Sequence, residues 1–369
     1  MLRTRGSTSA LCVQSEAREY PDGMTRQELL QSICDTTADY RAGDLAPPTP
    51  DHVDRWVSQF DEAVQLAILS EMDHVLKKTY FSADVVARFL RGALKTQELA
   101  GDDPCNFWPQ VELLEVQGGG NSQREMNALF KEILRAECGA EFHQGNQSPN
   151  AFVYLDDGIF TGNRVRRDLE AWIENQAPNR CRLHVICIAL HSGGQYYAKK
   201  RIENKIAEVG KEVDVIWWRR IELEDRRAYS YSSDVLRPTL VPDNPEVQEY
   251  VAGLRYPPTL RAAGSVGNQK IFSSEEGRAL LEQEFLVAGV RIRSMCPNLG
   301  DTQRPLGHMT LESLGFGSMI VTFRNCPNNA PLALWAGDPW YPLFQRATNS
   351  QTAIQNLIAR IAADGFGPV

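Results

Sequence analysis

The chain has 369 residues, enough for one large core or two modest ones. Its 43% hydrophobic and 23% charged content is that of an ordinary globular protein and excludes a disordered or fibrous one. A formal net charge of −8 speaks against a general nucleic-acid binder, which needs a basic surface, and no apolar run reaches the roughly 18 residues of a membrane span.

Residues 1–23 are polar and patternless and are expected to be mobile, with Met24 as an alternative start. Arg3 and Arg5 have no apolar run behind them, so no secretory leader is expected and the cytoplasm is the expected location. Residues 24–107 read as a helical subdomain. Val53, Trp56, Val57, Phe60 and Val64 share one helical face, and Val85, Val86, Phe89, Leu90 and Leu94 share another behind a Ser82 N-cap. Ala46-Pro47-Pro48-Thr49-Pro50 separates helices. The eight cysteines are scattered with no CxxC pair and read as reduced thiols, not a disulfide frame or zinc site.

Residues 108–236 alternate strand and helix. Strands are expected at 111–116, 152–155, 183–190 and 213–218. Helical faces are formed by Met126, Leu129, Phe130, Ile133 and Leu134, by Val165, Leu169, Trp172 and Ile173, and over 195–209 before Gly210. The run Leu183 to Leu190 is nearly all apolar, as in a strand covered on both faces. The expected fold is α/β, with a doubly wound, mainly parallel sheet. Ligands on such sheets sit at the carboxyl ends of the strands. Residues 237–369 form an irregular C-terminal region, expected to pack on the sheet edge. It contains a capping box at Ser273-Ser274-Glu275-Glu276, which opens a helix through about 287.

The stretch from Phe152 to Asn163 carries the chemistry. An apolar run ends in Asp156 and Asp157, and after a short loop Thr161-Gly162 opens a helix expected over 162–176. Two adjacent carboxylates repel unless a cation or hydroxyl donors offset them; Mg²⁺ or a vicinal diol would do so. Gly162 allows close backbone approach to a phosphate, Thr161 offers a hydroxyl and an N–H, and the free N–H groups of the helix start attract an anion. Diol at one end and phosphate at the other describe a ribose 5-phosphate. A plain strand end followed by a capped helix is the alternative reading of the same residues.

A second loop, Gly118-Gly119-Gly120-Asn121-Ser122, lies between a strand and a helix. Its glycines leave backbone N–H groups open to an anion, and Ser122 with Glu125 forms a further capping-box pattern. It lacks the Gly-Lys-Ser/Thr of a Walker loop. It is either a flexible connection or a second anion loop. His191-Ser192-Gly193-Gly194 is either a turn or part of the same rim. Lys199-Lys200-Arg201 and Arg219-Arg220 are solvated faces or phosphate-directed charge. Trp217 and Trp218 read as core, and His308 is an open candidate.

The order of apolar residues, two acids, three variable residues and Thr-Gly resembles the phosphoribosyl-pyrophosphate motif of type I phosphoribosyltransferases. The C-terminal elements Gly-Phe-Gly-Ser, Cys-Pro-Asn-Asn-Ala-Pro, Leu-Trp and Trp-Tyr-Pro-Leu-Phe-Gln-Arg resemble a narrower family. This is the phosphoribosyltransferase-like domain of bacterial conflict systems (PRTase-CE), over roughly residues 50–347. The resemblance implies that Asp156 and Asp157 hold the ribose hydroxyls, with Mg²⁺ arriving on the ligand, and that Ile159, Phe160, Thr161, Gly162, Asn163 and Arg164 wrap the 5′-phosphate. It also implies that residues 118–122 bind pyrophosphate. Arg164 stands where the family often has a small hydroxyl residue, and it brings charge to the phosphate or marks a modified ligand. The implied activity is transfer of a phosphoribosyl group, in an effector of antiviral or inter-bacterial defence with an operon-encoded partner. The competing reading is a sensor that binds the ligand without turnover. A phosphatase-like acidic site would leave Thr161-Gly162 without a role.

Overall fold

The computed structural model describes residues 23–118, 122–142, 149–262, 264–296 and 299–346. The N-terminal stretch expected to be mobile therefore lies outside the described residues, apart from Gly23. Helices α1 (Arg26–Thr36), α2 (Pro50–Val57) and α3 (Glu62–Thr79) come first, followed by the short strand β1 (Tyr80–Phe81) and α4 (Ala83–Lys95). Their starts are written locally. Thr25 and Glu28 close a reciprocal capping box on α1, and Ser82 accepts the Val85 N–H at the start of α4. Short helices α5 (Gln97–Ala100) and α6 (Pro104–Phe107) lead into the sheet.

The central sheet is four parallel strands in chain order: β2 (Val111–Leu113), β3 (Ala151–Ile159), β4 (Arg180–His191) and β5 (Glu212–Leu223). The crossovers are α7 (Ser122–Cys138), α8 (Asn163–Asn175) and α9 (Ser192–Val209). On one face, Met126, Phe130 and Leu134 of α7 pack with Val153, Leu155, Ile186 and Ile188. On the other, Leu169 and Trp172 of α8 and Ala198 and Ile202 of α9 cover Tyr154, Leu183, Val185 and Cys187. With helices on both faces, β4 is nearly all apolar and fully buried from Leu183 on, as its sequence predicts.

Beyond the sheet come α10 (Pro245–Ala252), α11 (Glu275–Met295), the hairpin β6 (Gln303–Arg304) and β7 (Gly307–His308), then β8 (Val321–Thr322) and α12 (Leu332–Trp335). Ser274 caps α11 by accepting the Gly277 N–H, while Ser273 bonds Glu71 instead of completing a box. The helix runs on to Met295, past the expected end near 287. Leu30, Trp56 and Met72 from the N-terminal helices share one apolar core with Phe285, Leu334 and Trp340. Strand β8 pairs in parallel with β1, Tyr80 opposite Val321 and Phe81 opposite Thr322.

Phe285 is fully buried and touches the rings of Trp56 and Phe60. Its replacement by alanine is expected to cost about 3–5 kcal/mol. Because the core is shared, α1–α3 and α11 should lose protection together in hydrogen exchange; separate loss would show that they are not one cooperative unit.

Cys105 and Cys138 form a disulfide between α6 and the end of α7, with an S–S distance of 2.01 Å. This corrects the expectation of eight reduced thiols. Trp108, just after α6, packs its ring on Phe130 of α7, and the two cysteines meet across 33 residues, a proximity that their spacing does not announce. No helix among the described residues is long and apolar enough to cross a membrane.

Candidate functional site

Strand β3 does not stop before the two acids. It continues through Asp156, Asp157 and Gly158 to Ile159, in register with Cys187 to Leu190 of β4. Successive residues of a strand point to opposite faces, so the two carboxylates diverge instead of sitting side by side.

Asp156 turns inward and is 4% exposed. Its Oδ1 accepts from the Ser122 hydroxyl at 2.8 Å and the Asp157 N–H at 2.9 Å, and its Oδ2 accepts from Gln117 Nε2 at 2.8 Å. The same Gln117 amide donates to the Tyr154 hydroxyl at 3.0 Å, which in turn donates to Asp168 Oδ2 at 2.9 Å. Burial, with the neighbouring Asp157 charge behind it, raises Asp156 from the usual 3.8 to about 7. Burial also lifts Asp168 above the ordinary carboxyl range and Tyr154 well above the phenol range. Asp156 is thus the tie that holds the start of α7 and the 114–117 segment onto β3.

The folded chain holds a proton on Asp156 that the unfolded chain gives up near pH 4. The stability this proton contributes is full below that pH and drains away as pH rises to about 7. In Asp156→Asn that slope should disappear. The melting-temperature difference between variant and wild type should shift in the variant's favour from about pH 5 to pH 8; a pH-independent difference would contradict the assignment.

Asp157 faces the cleft. Its Oδ2 meets Arg324 Nη1 at 3.0 Å, and Arg324 Nε donates to Glu125 on α7. The Arg324 side chain is only 10% exposed. This arginine follows β8, so the β1–β8 pairing places it. Sequence reading missed it; the only signal was a cation just ahead of the Cys-Pro-Asn-Asn turn.

The loop after β3 is short. Gly162 has φ of 74° and caps α8 with no side-chain hydrogen bond. A β-carbon on Gly162 would lie 2.1 Å from the Gly194 carbonyl oxygen, and one on Gly194 would lie 1.8 Å from that of Phe160. The two glycines therefore lock the loop onto the first turn of α9. Gly162 is required for that contact, a different reason from the phosphate approach expected. Gly193 donates its N–H to Asp225 at 2.6 Å. His191 is fully buried behind the loop, its Nδ1 3.0 Å from the Ile159 carbonyl and its ring against Phe160 and Phe316. Burial pushes its pKa down to about 4, so it is neutral. The His191–Gly194 segment supports the rim from beneath.

The first turn of α8 contains no acid. Arg164 and Arg167 are exposed there, and Arg166 pairs with Glu170 one turn on. Acids usually occupy this position because the helix dipole is positive; basic residues instead concentrate positive charge at an already electropositive end. That end opens into a cleft of about 1200 Å³. The cleft is also lined by Arg41, Asp157, Thr161, Asn163, His308, Arg324, Asn328 and Arg346.

The expected site residues gather at one place but differ in exposure. Ser122, Asp156, Asp157, Phe160, Thr161, Gly162, Asn163 and Arg164 all line the cleft, Asp156 almost wholly buried, and Ile159 lines it while its side chain is in the core. Gly118 is exposed, and Gly119, Gly120 and Asn121 lie outside the described residues. Ser122 is the first residue of α7. Its hydroxyl goes to the buried Asp156 carboxylate and Glu125 goes to Arg324, so the capping box expected of that pair does not form. Lys199, Lys200 and Arg201 are solvated on α9. Trp217 and Trp218 are half-buried, the latter donating its indole N–H to His184 at 2.9 Å.

A parallel α/β sheet with a cationic cleft at the carboxyl end of its strands defines a phosphoribosyltransferase-like protein. The PRTase-CE family model matches residues 53–346, and the chain belongs to that family. No curated protein and no solved structure matches the chain.

Proposed function

We propose that the cleft binds a phosphoribosyl ligand, phosphoribosyl pyrophosphate or a related nucleotide. The carrying observation is the arginine-flanked start of α8, its Asn163 N–H held only by the Thr161 hydroxyl at 3.5 Å, beside a cleft-facing carboxylate. Thr161 to Arg164 receive the 5′-phosphate through helix N–H groups and guanidinium charge. Asp157 accepts the sugar hydroxyls. Asp156 holds Gln117 and Ser122, the residues on either side of the stretch proposed to take the pyrophosphate. The donor set fits Mg²⁺ in a limited way. Among the described residues no group of three His, Cys, Asp or Glu is placed to hold a metal, and Mg²⁺ commonly takes one or two carboxylates plus ligand phosphates. Asp157 would be its protein contact, and the ion would supply charge neutralisation to the phosphates.

In transfer, the protein's part is positioning and electrostatics: Arg164 and Arg324 offset phosphate charge, and Asp157 at the end of β3 orients the sugar. Titration calorimetry with phosphoribosyl pyrophosphate and Mg²⁺, followed by a pyrophosphate-release assay with a panel of bases, tests this. Saturable binding with release identifies a transferase, and absence of binding rejects the proposal.

Binding without turnover is the second reading. It is favoured by the way Asp156, Asp157 and His191 are each engaged within the chain. In either form, the resemblance to conflict-system proteins supports an effector role in bacterial defence, with a partner protein that reads the ligand state.

A further inference from the structure

Arg346 lines the cleft, and its Nε is fully buried without a hydrogen-bond partner among the described residues. The acids of the cleft are engaged elsewhere: Asp44 with Arg41 at 2.8 Å, Glu125 and Asp157 with Arg324, and Asp156 in its own buried network. Burial lowers the Arg346 pKa, and the groups that act on its charge are the Cys326 thiol and the Tyr40 hydroxyl, both kept neutral by burial. Burial also lowers the pKa of His308, and the charges of Arg304 and Arg346 push it the same way. This part of the cleft is therefore positive, with no carboxylate to balance it.

The Arg346 guanidinium is also held in place. It stacks over the Trp335 ring, 4.6 Å from its centre, and the Trp335 indole N–H is fixed on the Ala330 carbonyl at 2.8 Å. One residue earlier, the Gln345 carbonyl accepts from the Tyr40 hydroxyl and from Arg41 Nη1, each at 3.1 Å. A fixed, desolvated cation is costly unless a counter-charge arrives. A neutral base or sugar brings none. A phosphate does, with its double charge and with acceptor oxygens for the guanidinium fork. Asn328 and Thr310 line the same cleft and can add neutral donors. At about 1200 Å³ the cleft exceeds the roughly 300–1,000 Å³ of most ligand pockets, so one sugar phosphate does not fill it. We propose that Arg346 is the centre of a second phosphate subsite, distinct from the start of α8. The assignment rests on the reading of α8 as the first phosphate site.

Calorimetry on the full chain tests it, first with ribose 5-phosphate, then with AMP or adenosine added to the saturated protein. AMP should bind about tenfold to hundredfold more tightly than adenosine, the worth of a charged hydrogen-bonded contact, and Arg346→Gln should remove most of that preference. Affinity for ribose 5-phosphate should stay nearly unchanged. Asn328→Ala, which leaves the stack on Trp335 in place, should weaken AMP by a smaller factor, and a thermal melt checks the fold of both variants. Two sources of the second phosphate are separated by adenosine 3′,5′-bisphosphate. If it competes with ribose 5-phosphate and depends on Arg346, one ligand carries both phosphates; if AMP adds to bound ribose 5-phosphate, two ligands do. The inference is overturned if AMP and adenosine bind alike, if neither AMP nor the bisphosphate binds, or if neither responds to Arg346→Gln. It is also overturned if that variant loses ribose 5-phosphate as strongly as AMP, which would place Arg346 in the first site. Arg346-dependent binding of AMP without any binding of ribose 5-phosphate supports this subsite and rejects the function proposed for α8.

Discussion

Asp157→Asn is expected to lower affinity for phosphoribosyl pyrophosphate with Mg²⁺ by about a hundredfold or more. Two hydrogen bonds from sugar hydroxyls to a charged acceptor are each worth about 1.5–3 kcal/mol, and asparagine offers one neutral oxygen in place of two anionic ones. The fold should scarcely respond. The Asp157–Arg324 pair is largely buried, its side chains 21% and 10% exposed, but Glu125 retains the arginine, so its charge is not left unpaired. Calorimetry and a thermal melt on the same sample separate the two effects. Undiminished affinity in Asp157→Asn would remove this carboxylate from the site. Arg324→Ala is the companion: if the guanidinium offsets phosphate charge, affinity falls, whereas a rise would show that it competes with the ligand for Asp157.

Gly162→Ala should be the most damaging small change in the loop. A β-carbon there meets a backbone oxygen at 2.1 Å, and neither backbone can swing aside as a side chain does. Overpacking of this kind costs about 1–3 kcal/mol, and the left-handed backbone adds about 1–2 kcal/mol for a residue other than glycine. A melting temperature lower by roughly 3–6 °C follows for a chain of this size. Gly194→Ala should match it, since its β-carbon would collide with the Phe160 carbonyl. Gly118→Ala is the control: nothing lies within 4 Å of the added carbon, so stability should hold. If Gly162→Ala melts with wild type, the two loops are not locked as described.

The sheet was legible because its strands are apolar beyond what a surface permits, Leu183 to Leu190 above all. The acids and the Thr-Gly turn stood out for the same local reason. Their division of labour did not. Asp-Asp-Gly reads as a turn, yet the strand runs through it, because pairing with β4 holds the backbone extended to Ile159. Once extended, the pleat sends one acid inward and the other outward. The partners that fix each acid come from elsewhere in the chain: Gln117 and Ser122 for Asp156, and Arg324 for Asp157. Arg324 lies 167 residues downstream, beyond the reach of any periodicity or spacing rule.

The pairing of β1 with β8 has a consequence for the order of events at the ribosome. Arg41 and Asp157 are made early, but Arg324 and Asn328 reach the cleft only after Val321 and Thr322 have docked beside Tyr80 and Phe81. A nascent chain carries the acids and the phosphate loop long before it carries the wall facing them. Ligand capture should therefore switch on late in translation, and ribosome-stalled chains arrested before Val321 should fail to retain it.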